Sequence, residues 1–278
     1  MNALLESRGA VKSAQPTDRA PILYVTGGKG GVGKTVVCVN LCAALARRGV
    51  RVLLVDLDLG AADADVLLRH VDARGLIDVL AEGARVADCA SRTAHGFDFV
   101  PGVSGVRDWS ALGEAARGAL MLAVRQAACG YDLVVLDGSP GIGADVLAFA
   151  AEADSVLLVT TPELTALTDA YGLLKALHER SEALDPEIPT PEVVVNRARD
   201  LSEAERTARR LRDVAQRFLA RSPRWAGWLP ESGTVTESCR EQRPFGASSR
   251  ATSAHTCLDA LAARFARPRR VACGAELG

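Results

Sequence analysis

Apolar runs of strand length, spaced by helix-length amphipathic stretches, constrain this chain more than any other feature. The runs cover residues 22–26, 52–56, 133–137, 156–160 and 193–196, with weaker ones at 97–101 and 225–229. Between them lie amphipathic stretches at 34–48, 109–128, 164–184 and 202–219, and a last one covers about 252–267. A continuous apolar run marks a strand buried on both faces. Strands of that kind joined through helices form a parallel sheet with right-handed crossovers. The expected fold class is therefore α/β, a mainly parallel twisted sheet with helices on both faces. Ligands bind beyond the carboxyl ends of strands in such sheets, so residues that end a run are the first functional candidates.

The 278 residues are 48% apolar and 24% charged, which excludes bulk disorder and supplies enough chain for a core. No apolar run reaches the ~18 residues of a membrane span. Residues 1–20 are polar, lack the apolar stretch of a secretory signal, and are expected to form a flexible leader. Residues 21–268 show no linker or internal repeat and are expected to form one domain, with 269–278 as a tail. Seven cysteines without a C-x-x-C pair argue against a disulfide scaffold or a zinc ribbon. Together these features predict a cytoplasmic protein.

Lysine is scarce: only Lys12, Lys29, Lys34 and Lys175 occur. Two of the four fall in Gly28-Lys29-Gly30-Gly31-Val32-Gly33-Lys34-Thr35, which fits G-x-x-x-x-G-K-[ST] between the first apolar run and the first helical stretch. Glycines let a loop wrap its N–H groups around an anion, and a helix N-terminus adds partial positive charge. Lys34 is placed to reach β- and γ-phosphates, and the Thr35 hydroxyl to bind Mg²⁺.

Two other apolar runs end in carboxylates. Val52-Leu53-Leu54-Val55-Asp56-Leu57-Asp58 puts Asp56 and Asp58 on one side by strand alternation. Anions that close repel unless a cation or its water lies between them. Leu133-Val134-Val135-Leu136-Asp137 ends in the same way. Asn196 ends a further run, where asparagine is about as often a turn former as a ligand.

Lys29 is superfluous to a generic phosphate loop, and Lys29-Gly30-Gly31-Val32-Gly33-Lys34-Thr35 resembles the deviant loop of MinD/ParA ATPases. The resemblance covers residues 22–246 and implies a phosphate-loop NTPase fold of the MinD type, with ATP and Mg²⁺ as ligands. It implies that Lys29 crosses an ATP-dependent homodimer to the partner subunit's phosphates, as a trans-acting arginine finger does. It further implies Asp56 and Asp137 in the Mg²⁺ shell with Thr35, and Asp58 orienting the attacking water. Asn196 would read the adenine edge, with Pro230 in the loop on the base's other side. The absence of an N-K-x-D sequence favours ATP over GTP by the same resemblance. Thr161-Pro162-Glu163-Leu164-Thr165-Ala166-Leu167-Thr168-Asp169-Ala170-Tyr171 is similar to the FlhG/FleN branch, which governs flagellar number and placement. Two features depart from that branch. Asp63 replaces the usual Asn after the first switch, and the D-Q-A-x-x-L-R motif is absent from residues 1–20.

Partner expectations follow from charge and periodicity. From residue 196 onward there are sixteen arginines and no lysine against nine acids. Arg206, Arg209, Arg210, Arg212 and Arg217 fall in one helical stretch with Glu203, Glu205 and Asp213. A solvated face explains these better than nonspecific DNA binding, although ParA relatives bind DNA through basic surface. Ala254, Leu258, Leu261, Ala262 and Phe265 form a narrow stripe, whose small area favours docking on the domain over a peripheral membrane contact. Cys38 and Cys42 sit i, i+4 on a helix and read as core packing, so no iron–sulfur cluster is expected. The leading expectation is an ATP-switched positioning ATPase with a protein activator or cargo. A DNA-partitioning ATPase and a nucleotide-dependent regulator with little turnover are the alternatives.

Overall fold

The computed structural model describes residues 19–58, 63–71, 74–102, 113–182 and 187–266. Its strands are β1 (Ile22–Gly27), β2 (Val52–Asp56), β3 (Ser91–Arg92), β4 (Asp98–Val100), β5 (Leu133–Pro140), β6 (Ser155–Thr160), β7 (Glu192–Ala198) and β8 (Arg224–Pro230). The helices are α1 (Lys34–Arg47), α2 (Ala64–Leu68), α3 (Leu76–Glu82), α4 (Val86–Cys89) and α5 (Glu114–Ala128), followed by α6 (Ala144–Glu152), α7 (Leu164–Ser181), α8 (Leu201–Leu219), α9 (Gly233–Arg240) and α10 (Ser253–Phe265).

The strands form one sheet in the order β3-β4-β2-β5-β1-β6-β7-β8. Every pairing is parallel except β3 with β4. The central strands are buried on both faces, as their continuous apolar runs require. Leu23, Val25, Leu54 and Val135 join one layer with α1 and α10, while Ile22, Tyr24, Leu53 and Val134 join the other with α5 to α8. Burying each such side chain contributes about 1.5–3 kcal/mol, so the two layers hold the strand ends rigidly beneath the loops.

Each apolar run read from the sequence is a strand, but several elements escape periodicity. α2 and α4 have five and four residues, too short to show a stripe. α6 is nearly uniformly apolar and lacks a polar face to mark it. The helix expected from residue 109 begins at Glu114 among the described residues, and residues 109–112 lie outside them. The expected end at 184 also lies outside; α7 runs to Ser181. α8 starts where the Asp200 side chain accepts a bond from the Glu203 amide (2.7 Å), an N-cap contributing about 1 kcal/mol, and Glu203 in turn accepts from the amide of the preceding residue, Arg199 (2.8 Å).

The apolar stripe of α10 is spent inside the molecule. Ala254, Leu258, Leu261 and Ala262 are buried against α1 and β8, and Arg264 pairs with Glu192 at the start of β7. The expected leader through residue 18 and the tail from 269 lie outside the described residues. A 3-10 turn, Phe245–Ala247, packs between α10 and α1. The Gly246 amide donates to Asn40 Oδ1 (3.0 Å), and a Cβ on Gly246 would lie 2.2 Å from the Asn40 carbonyl oxygen. Gly246→Ala is therefore expected to destabilise the protein by about 1–3 kcal/mol through overpacking, read as a lowered Tm in thermal melts; an unchanged Tm would show that this turn is not tightly docked.

Candidate functional site

Four strands bring their carboxyl ends to one loop. Residues 28–33 leave β1 and enter α1, and Gly33 stands at the helix N-terminus with φ +89°, a left-handed conformation that glycine adopts without strain. A Cβ on Gly28 would lie 2.1 Å from the Asp169 carbonyl of α7, so this side of the loop also demands glycine. The Gly141 amide beyond β5 donates to the Gly27 carbonyl (2.9 Å). The loop is thus wedged between α7 and the segment that follows β5.

Lys34 is buried at the first turn of α1, with Nζ 3.9 Å from Asp58 Oδ2. Thr35 follows it, and its hydroxyl lies close enough to Asp137 to pull that carboxyl's pKa down. Asp56 ends β2, and its fully buried register partner Asp137 lies within β5. That strand does not stop at the acid, as the apolar run suggested, but continues to Pro140 because Gly27 still pairs with Pro140. Asp56 Oδ1 accepts a bond from the Asp58 amide (3.0 Å), which ties the two first-switch acids together. Asp56 Oδ2 and Asp137 Oδ2 have no hydrogen-bond partner among the described residues. Buried carboxylate oxygens without partners are costly. Burial pushes the Asp137 carboxyl up to about 6 against the lowering pull of Thr35 and Lys34. Burial and then the Asp137 charge hold Asp56 well above the ordinary range. Two orphan oxygens beside a threonine hydroxyl are hard donors that fit Mg²⁺.

Asn196 lies two residues before the end of β7, which runs past the apolar stretch to Ala198. It is occupied by the loop: Nδ2 donates to the Val32 carbonyl (2.8 Å), and a Cβ on Gly33 would fall 2.4 Å from that nitrogen. Reading a base edge would require this amide to release Val32. Pro230 is buried at the end of β8, where the Glu231 amide donates to the Ala198 carbonyl (2.9 Å). Asp63 stands at the N-terminus of α2, next to residues 59–62, which lie outside the described set.

Lys29 is separated in role from Lys34. Its Nζ lies 3.2 Å from Glu163 Oε2 and 2.9 Å from Thr165 Oγ1 at the start of α7, in a half-exposed position at the loop's mouth. Sequence reasoning used the 161–171 segment only as a resemblance and missed this contact; its signal was position, directly after the end of β6. Cys38 is buried, as its helical spacing from Cys42 leads one to expect, but its thiol also donates to Asp137 Oδ1 (3.4 Å). One helical turn after Lys34, it shares the face that looks at the acids.

Residues 23–245 match the CobQ/CobB/MinD/ParA nucleotide binding domain. The chain belongs to that family. Within the MinD/ParA ATPases it is 36% identical over 222 residues to the antiactivator FleN of Pseudomonas aeruginosa, covering 80% of this chain and 78% of FleN. It is 28% identical to the flagellum site-determining protein YlxH of Helicobacter pylori, over 80% of this chain and 73% of YlxH. The fold superposes on the Pyrococcus furiosus cell division ATPase MinD with a TM-score of 0.70 at 26% identity, covering 88% of this chain and 97% of that one. The Pyrococcus horikoshii MinD, complexed with Mg-ADP, matches with a TM-score of 0.70 at 25% identity, covering 88% and 95%. The fold class expected from the sequence is thus the family's own.

The raised carboxyl of Asp137 has a pH consequence. Its folded value of about 6 exceeds the ordinary 3.8, so the folded ligand-free protein binds a proton that the unfolded chain loses first. That stabilisation is complete below 3.8 and is lost as pH rises towards about 6. Asp137→Asn is expected to flatten this part of the stability–pH curve in nucleotide-free protein, followed by thermal melts across the interval. A curve identical to the wild type would remove Asp137 as its source.

Proposed function

We propose that the chain is an ATP-switched positioning ATPase: two copies close around Mg²⁺-ATP, and the dimer governs the placement or number of a flagellum-type structure until hydrolysis reopens it. The observation that carries this reading is the position of Lys29. A lysine serving its own subunit's phosphates belongs inside the loop, where Lys34 is. Lys29 instead sits at the mouth, held by Glu163 and Thr165, which flank the exposed Leu164 (73%), an apolar side chain that suits burial against a second copy. The flagellar assignment is supported by similarity to FleN and YlxH across 80% of the chain.

In this reading, backbone amides of residues 28–33, Lys34 and Thr35 cradle the phosphates. Thr35, Asp56 and Asp137 would hold Mg²⁺, which would neutralise phosphate charge. Asp58 exchanges its contact with Lys34 for the attacking water, and Lys34 turns to the β- and γ-phosphates. Lys29 leaves Glu163 to supply charge to the partner subunit's nucleotide in the transition state. Asn196 and Pro230 flank the adenine once the Asn196 amide releases Val32. Residues 21–268 act as one ATPase domain in the cytoplasm, between the leader 1–20 and the tail 269–278. A protein activator or cargo reads the dimer. No helix among the described residues is long and apolar enough to cross a membrane, and any membrane contact is peripheral. A DNA-partitioning role is favoured by one observation, the exposure of Arg206, Arg210 and Arg217 on α8, and would show as ATP-dependent, salt-sensitive retardation of a DNA duplex.

Lys34→Ala is expected to abolish ATP binding; a labelled ATP analogue binding with undiminished affinity would refute the cradle. Asp58→Ala should bind ATP, fail to hydrolyse it and accumulate as a dimer in light scattering, so a strictly monomeric variant would count against the switch. Lys29→Ala should bind ATP as a monomer yet lose dimerisation and partner-stimulated hydrolysis. Trans-supplied cations are worth on the order of 10³–10⁵ in rate in related systems, and a smaller loss is expected where unstimulated turnover is already slow. A Lys29→Ala protein that dimerises and turns over normally would sink the sandwich reading.

A further inference from the structure

At the amino ends of β7 and β8, opposite the phosphate loop, lies a groove of about 280 Å³ between α8 and the last strand of the sheet. Glu205, Ala208, Arg209, Arg212, Arg224 and Trp225 line it. The nucleotide reading makes no use of it. Arg209 and Arg224 are exposed and take part in no ion pair among the described residues, and Arg212 reaches only Asp213, at 3.8 Å. Three cations against one internal carboxylate leave the groove net positive. Trp225 and Ala208 supply an apolar floor, with Trp225 37% exposed. The strand itself offers backbone. Arg224 donates its amide to the Pro191 carbonyl (3.0 Å), which turns its peptide groups toward β7. By strand alternation the peptide groups of Trp225 face the open edge.

We infer that this groove docks an extended, acidic polypeptide segment that also carries an apolar side chain. Carboxylates would pair with Arg209, Arg212 and Arg224, the apolar side chain would lie on Trp225, and backbone would add to the edge of β8. A nucleic acid fits less well. The groove is short and concave, Glu205 stands inside it against phosphate, and its floor is apolar. By helical spacing Arg206, Arg210 and Arg217 lie on the other flank of α8 and do not extend the groove into a phosphate track; Arg217 stacks on Phe218 at 5.3 Å. The chain's own residues 267–270, Arg-Pro-Arg-Arg, have the wrong charge to fill it. Since the loop and Lys29 lie at the opposite strand ends, occupancy leaves the nucleotide face free, and this inference stands apart from the dimer mechanism.

The test is fluorescence anisotropy on the full chain with a labelled short peptide carrying several Asp and Glu residues around a Leu-Phe pair. A peptide with each acid replaced by Lys and a labelled DNA duplex serve as competing probes. The acidic peptide is expected to bind and the basic one not. Arg209→Ala combined with Arg224→Ala removes two of the three charged contacts and should weaken binding by roughly tenfold or more, with ATP hydrolysis unchanged as the sign of an intact fold. Glu205→Gln removes the repelling charge and leaves every arginine in place; it should tighten binding by roughly two- to fivefold. Absence of peptide binding, equal affinity across these proteins, or tighter binding of the duplex lost with the same two arginines would each overturn the inference.

Discussion

The architecture depends on the close packing around the loop between β1 and α1. Gly28 meets the backbone of α7, Gly33 meets the Asn196 side chain, and Gly27 accepts the amide of Gly141. A side chain at Gly28 or Gly33 would separate the loop from its neighbours, so the loop acts as the keystone of four strand ends. Its shape is fixed by contacts from β5, α7 and β7 before any anion arrives. Such preorganisation lowers the ordering cost of binding.

Electrostatics at the same place are unbalanced in a purposeful way. Asp56 and Asp137 are buried in register, each with an oxygen that lacks a partner among the described residues, while the adjacent cation, Lys34, lies nearer to Asp58. A fold selected for stability alone would place apolar residues or a closed ion pair there. The deficit of positive charge is the kind that a divalent ion and its phosphates reverse together.

Much of this was legible in the sequence, for reasons that differ by residue. Buried parallel strands leave long apolar runs, so the sheet core and the acids Asp56 and Asp137 that close two of those runs could be read directly, although β5 itself continues to Pro140. The phosphate loop was visible because glycine spacing and lysine scarcity coincide. The hydrogen bond from Asn196 to Val32 was not readable, since it joins residues 164 positions apart. Nor was the bond from Lys29 to Thr165, which spans 136 positions; only packing sets such pairs. Short elements such as β3 and α4 carry too few residues for any period, and α6 lacks the polar face that would have marked it. The arginine-rich helix was correctly read as exposed, but its division into a groove-facing pair and an outward set needs the position of β8.

The two ends of the sheet are treated differently, which limits how the molecule can associate. At one end β3 is only two residues long, antiparallel, and carries Arg92, largely exposed and paired with Asp98. A strand that short with a charge on it cannot template another chain. At the other end β8 is seven residues long and its outer edge has no strand partner among the described residues. Growth of the sheet by added strands is therefore one-sided: a second copy pairing through these edges would meet either the blunt end or another open one. Edge pairing could thus close a two-fold pair but could not propagate into a fibre.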